Sequence, residues 1–160
     1  MDKIMLWFVK FFLRMRRFIN EIKHPGIQAQ REEFENAARV FKVPGDVGLE
    51  SVDIAGLQAE WLEILGQNPQ KVIVYLHGGG YTLGSIETHR ELVSRNARAC
   101  HAKVLLLDYR LAPENPFPAA IEDAMAAYRY LLGKGISPKD IVIMGDSAGG
   151  GLTISTLVSL

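Results

Sequence analysis

The 160-residue chain predicts an α/β fold: a mostly parallel sheet with helices on both faces. Three observations carry that prediction. The segments "KVIVYL" at 71–76, "KVLLLD" at 103–108 and "DIVIMG" at 140–145 are short apolar runs, the mark of strands buried on both faces. Two longer stretches with helical apolar spacing separate them. The composition, 48% hydrophobic and 22% charged, is that of a globular domain.

The elements follow in order. Residues 1–20, "MDKIMLWFVKFFLRMRRFIN", hold five basic residues and one acid. Lys10 interrupts the apolar run and no small-residue cleavage site follows, so this is not a secretory signal. The run is also too short and too charged for a comfortable membrane span. On a helix, Ile4, Trp7, Phe8, Phe11, Met15, Phe18 and Ile19 share one face, and Lys3, Lys10, Arg14 and Arg17 another. The first reading is a helix packed on the rest of the protein. The second is a basic amphipathic helix in peripheral contact with a membrane surface.

"HPG" at His24–Gly26 breaks that helix. A second amphipathic stretch carries Phe34, Ala37, Ala38 and Phe41 on one face, and "VPGD" at Val43–Asp46 ends it. Residues 1–45 thus form a helical N-terminal segment, and residues 46–160 the α/β part. Short strands are expected at 49–54 and 59–64. A helix follows over 88–100, capped by Thr88 and Glu91, with Leu92, Val93, Asn96, Ala97 and Cys100 on one face. Another runs through "FPAAIEDAMAAYRYLLGKG", with Ile121, Ala124, Met125, Tyr128 and Leu132 inward, Pro118 near its start and Gly133 near its end. The residues after Ser147 start a further helix despite their glycines.

Charge and cysteine content exclude some functions. Lys+Arg and Asp+Glu are both 18, so no basic field favours a nucleic-acid partner. Cys100 is the one cysteine, so no intrachain disulfide forms and a cytoplasmic location fits. No metal and no cofactor are expected.

In open parallel sheets, ligands bind at the carboxyl ends of the strands. "HGGG" at 77–80 and "GDSAGG" at 145–150 each follow a buried strand, which places both loops on that edge. A serine on a sharp strand-to-helix turn stands exposed above the sheet, and glycines two residues before and after it avoid a collision across the turn. The helix that starts at Ala148 aims free N–H groups and its positive end at the same place. Gly78, Gly79 and Gly80 let backbone approach a ligand closely. With the Ala148 N–H they suit an oxyanion hole.

His77 reads as a loop-fixing residue and not as the base, because the hydrolase order is serine, acid, histidine. Asp146 points away from the serine. Asp108, Arg110 and Glu114 pin the turn after the second parallel strand, and His89 and His101 read as surface or cap residues. Three rival readings stand beside these. Ser147 could be a helix cap. The glycines could cradle a phosphate, although no Lys-Ser/Thr pair completes a P-loop. His77, Asp108 and Ser147 also fall in chymotrypsin-like order, against which stand the α/β alternation and the single cysteine.

"HGGGYTLGS", "DYRLAPENPFPAAIEDA" and "GDSAGG" together resemble the hormone-sensitive-lipase-like family of α/β-hydrolases, in its bacterial esterase branch, from about Lys71 onward. The resemblance implies hydrolysis of a small-molecule carboxylic ester through an acyl-enzyme on Ser147. It implies an oxyanion hole from Gly78, Gly79, Gly80 and Ala148, and a cap built from the N-terminal helices. Where that family usually has Asn, this chain has Gly151, which should weaken the helix slightly and leave the chemistry intact.

The serine also needs a base. His24, His77, His89 and His101 all precede Ser147, and residues 152–160 contain no Asp, Glu or His. Such enzymes commonly run to ~250 residues as one domain. The expectation is therefore an N-terminal portion, with the triad acid, the histidine and the rest of the sheet beyond it, and with "DIVIMG" as an uncovered apolar edge. The alternative is a receptor-like member of the same fold that binds a small molecule without turnover. Oligomeric state is not specified by the sequence.

Overall fold

The computed structural model describes residues 26–160, so the amphipathic pattern over residues 1–20 lies outside the described residues. The chain runs α1 (Ile27–Ala38), β1 (Val47–Ile54), β2 (Leu57–Ile64), β3 (Lys71–Leu76), α2 (Ile86–Cys100), β4 (Ala102–Leu107), α3 (Ala119–Gly133), β5 (Ile141–Gly145) and α4 (Ala148–Ser159). The five strands form one sheet in the order β1-β2-β4-β3-β5. β3 lies parallel to both β4 and β5. The β1–β2 and β2–β4 pairs are antiparallel, so the sheet is mixed. The two-residue turn at Ala55 and Gly56, both at positive φ, permits nothing but an antiparallel β1–β2 pair.

Strand alternation sorts the core onto two faces. Val74, Leu76, Leu105 and Leu107 pack with Ala124, Ala127 and Leu131 of α3 and with Leu152 of α4. Ile73, Tyr75, Val104 and Leu106 pack on the opposite face with Val93 and Ala97 of α2. The central strands are therefore covered on both sides, as their unbroken apolar runs require. Among the described residues, no helix is long and apolar enough to cross a membrane.

Three local expectations are corrected. First, α2 begins at Ile86, not Thr88. Ser85 is its N-cap and accepts the Thr88 N–H, while the Thr88 hydroxyl accepts the Ser85 N–H. A threonine at N3 thus does what a glutamate does in the commoner box. Second, the buried face of α3 is Ala119, Asp123, Ala124, Ala127 and Leu131; Ala124 and Ile121 pack on the core as expected, whereas Met125, Tyr128 and Leu132 do not join the buried set. Asp123 belongs there because its carboxylate accepts the Arg110 backbone N–H at 2.8 Å and Nε–H at 2.9 Å. Third, α1 ends at Ala38, so Phe41 is off its face and exposed. The edge expected at "DIVIMG" is present: among the described residues β5 is an edge strand, and Val142 is 51% exposed.

Candidate active site

Parallel pairing brings the two glycine-rich turns together. Leu76, the last residue of β3, is the register partner of Gly145, the last residue of β5. The turns that leave those strands therefore start side by side on one sheet edge. Ser147 sits in the second turn at φ 49 and ψ −118, a region that L-residues rarely occupy, and it is exposed. Its hydroxyl makes no bond to the helix it precedes, which removes the capping reading. The flanking glycines are sterically required. A Cβ on Gly145 or on Gly149 would run into the Leu76 carbonyl, and a Cβ on Gly145 would also meet Gly149.

The first turn holds Gly79, Gly80 and Tyr81 at successive positive φ of 127, 64 and 62. Gly79 cannot be replaced without cost, because a Cβ there would also overlap the Leu83 carbonyl. Among the described residues, the N–H groups of Gly79, Gly80 and Ala148 have no hydrogen-bond partner. Gly78 differs. Its N–H donates to Asp146 Oδ1 at 2.9 Å, which removes it from the expected set of oxyanion donors. Its role is to tie one turn to the other.

Asp146 is the residue that sequence reasoning undervalued. Besides Gly78 N–H, its Oδ1 accepts the Tyr75 hydroxyl at 3.1 Å and lies 3.6 Å from His89 Nε2. Burial, followed by the Asp146 charge, pushes the Tyr75 phenol far above its ordinary range. It therefore stays a hydrogen-bond donor. His89 is buried at 6% exposure and not on the surface as expected, and its Nδ1 lies 2.7 Å from the Thr88 hydroxyl. Burial lowers its pKa and Asp146 opposes that shift. The sequence signal was Thr88-His89 in the first turn of α2, but its partner lies 57 positions away at Asp146.

His77 is fully buried and stacked on Tyr109, with ring centroids 4.3 Å apart. Its Nδ1 is 2.8 Å from the Gly78 carbonyl, an acceptor, so Nδ1 carries the proton. The Tyr109 hydroxyl donates to the His77 carbonyl at 2.7 Å. Burial pushes His77 down from 6.5 to about 4, so the ring is neutral at physiological pH. This gives a stability prediction. Below pH 6.5 an unfolded chain takes up a proton that the folded one refuses, so stability falls as the pH drops toward 4. Between pH 6.5 and 5, ahead of most carboxylates, the loss approaches about 1.4 kcal/mol per pH unit. A urea midpoint that does not fall over that interval would contradict it.

Of the three residues expected to pin the turn after β4, Arg110 and Glu114 are held by ion pairs and hydrogen bonds. Arg110 pairs with Asp123 and Glu122, and Glu114 takes hydrogen bonds from Arg31 and Gln28 of α1. The Tyr81 hydroxyl lies 2.8 Å from where a Gly151 Cβ would stand, so this glycine makes room for a tyrosine. Tyr81 also borders an apolar cavity of about 350 Å³, with Ala112, Phe117, Ile121, Leu152 and Ser155 on its walls. No group of three or more His, Cys, Asp or Glu among the described residues is arranged to hold a metal ion.

A sheet-edge serine on a strand-to-helix turn, faced by unpaired backbone N–H groups from a glycine turn, defines the α/β-hydrolase class. A family profile described as alpha/beta hydrolase fold matches residues 73–160. The chain is 43% identical to an acetyl-hydrolase of Streptomyces hygroscopicus over 84% of its own length and 44% of that protein. It is 36% identical to an esterase of Acinetobacter venetianus over 82% of its length and 43% of that protein. A crystal structure of an esterase from the bacterial hormone-sensitive lipase family superposes with a TM-score of 0.82 at 46% identity, covering 85% of this chain and 46% of the other. The chain belongs to the α/β-hydrolase family, in its hormone-sensitive-lipase-like bacterial branch. It spans a little under half the length of these relatives.

Proposed function

We propose that the whole protein hydrolyses carboxylic esters of small molecules through an acyl-enzyme on Ser147. The observation that carries this reading is the register of Leu76 with Gly145, which sets an exposed, unbonded serine hydroxyl beside the Gly79–Gly80 turn. Oγ attacks the ester carbonyl carbon and gives its proton to a base, and the carbonyl oxygen becomes an oxyanion. The N–H groups of Gly79, Gly80 and Ala148 receive that charge. Collapse releases the alcohol, which takes the proton from the base. Water then attacks the acyl-enzyme in the same way.

The base is not supplied by the described histidines. His77 is buried and donates to Gly78, His89 is buried against Thr88 and Asp146, and His101 caps the far end of α2. We place the histidine and its acid outside this 160-residue sequence. Residues 1–45 would act as a cap, a role supported by the contacts of α1 with the loop after β4. The charge pattern of residues 1–20 supports a peripheral membrane contact, testable by co-sedimentation with anionic liposomes before and after their removal. The exposed free thiol of Cys100 supports a cytoplasmic site.

Hydrolysis of p-nitrophenyl butyrate tests the reading. The whole protein is expected to turn it over at ordinary enzyme rates, roughly 1–10³ s⁻¹. The 160-residue chain is expected to show no more than the residual 10³–10⁴ over water that a site without its base retains, roughly. Fast, Ser147-dependent turnover by the short chain would contradict the placement of the base.

A further inference from the structure

We propose that Arg31 is a positioning residue for the oxyanion turn, so that α1 sets the geometry of residues 79–81. This rests on reading that turn as the oxyanion hole. Arg31 makes four hydrogen bonds from one guanidinium. Nε–H donates to the Thr82 carbonyl at 2.8 Å and Nη2–H to the Ala112 carbonyl at 3.0 Å. Glu114 accepts from Nη2 at 2.8 Å and from Nη1 at 3.0 Å.

The two carbonyls belong to the two segments that hold the turn. Thr82 and Leu83 both donate their N–H to the Gly79 carbonyl, at 3.1 and 2.9 Å. Ala112 donates its N–H to the Tyr81 carbonyl at 2.9 Å. Tyr81 has positive φ, a conformation that persists only where its surroundings fix it. Arg31 fastens both sides of that residue at once. A planar fork can reach two carbonyls and a carboxylate together, and a lysine ammonium cannot. The Glu114 carboxylate is 44% exposed, so the ion pair itself contributes little. The carbonyl bonds carry the positioning, and they make the site sensitive to how α1 is seated.

Two measurements test this. In hydrogen–deuterium exchange of the 160-residue chain, Arg31→Ala is expected to speed exchange in residues 77–84 about tenfold and to leave β3 and β4 unchanged. Glu114→Gln, which keeps both carbonyl bonds, should change it by less than about twofold. In the whole protein, Arg31→Ala should lower kcat about tenfold with KM held within about twofold, and free guanidinium ion should restore part of the loss. Unchanged exchange in 77–84 overturns the proposal, as does an equal effect from Glu114→Gln or a rise in KM with kcat intact. A whole protein inert toward esters would refute the proposed activity, while exchange would still decide the role of Arg31.

Discussion

Ser147→Ala in the whole protein is expected to lower kcat for p-nitrophenyl butyrate by about 10⁴–10⁶ and to leave the fold intact. The size follows from the chemistry. Without Oγ there is no acyl-enzyme, and what remains is water attacking a carbonyl held near three backbone donors. The fold should survive because the Ser147 side chain is exposed and caps nothing, so alanine removes no bond from α4. The positive φ of 49 remains with either residue. Circular dichroism and urea midpoint should therefore match the parent while turnover collapses. Turnover that persists in this variant would mean that another residue attacks.

The second large effect is on stability. Gly149→Ala is expected to destabilise the chain by about 3 kcal/mol, or roughly 6–12 °C in Tm. A Cβ there would overlap the Leu76 carbonyl and press on the His77 carbonyl. Both are backbone atoms at the carboxyl end of β3, so neither can swing aside. Gly150→Ala is the control. Its Cβ would stand 3.4 Å from the Gly145 carbonyl, an ordinary contact, and the better helix former should stabilise α4 by about 0.5–1 kcal/mol. Two adjacent glycines in one motif should thus respond with opposite sign. Equal responses would mean that α4 does not approach β3 as closely as described.

The sequence made the central strands and the two catalytic-type turns legible because each signal is local. β3 matches its predicted span, and β4 is displaced by one residue, because an apolar β-branched run six residues long has few other ways to be buried. The run in β5 tells only what a strand is able to cover; topology decides what lies beside it, and β5 takes the edge position that the sequence reading expects. The antiparallel β1–β2 hairpin is legible in the sequence only as two short strands, since Ala55-Gly56 is a faint turn signal compared with Asn-Gly. Apolar spacing also set the α3 face one position off, because the buried Asp123 is chosen by Arg110 and not by hydropathy.

At the site, glycine spacing identified both turns but could not show which N–H groups are free. Gly78 looks like Gly79 in sequence, yet its donor is committed to a carboxylate 68 positions away. Asp146, Tyr75, His89 and Arg31 were hidden for the same reason. Their distant partners are brought near by the fold: Tyr75 and His89 meet Asp146, and Arg31 meets Thr82, Ala112 and Glu114. Sequence reasoning therefore located the exposed serine and the two glycine turns beside it, and missed the side chains that hold those turns still.

The measurement that bears most directly on the central claim is the site of acylation. The whole protein, mixed with p-nitrophenyl butyrate, quenched in acid within the first turnovers and digested, should yield a single butyryl adduct on the peptide containing Ser147. Fragmentation should place it on that serine. An adduct on any other residue, or turnover with no covalent adduct under conditions where deacylation is stopped, would contradict the assignment of Ser147 as the nucleophile.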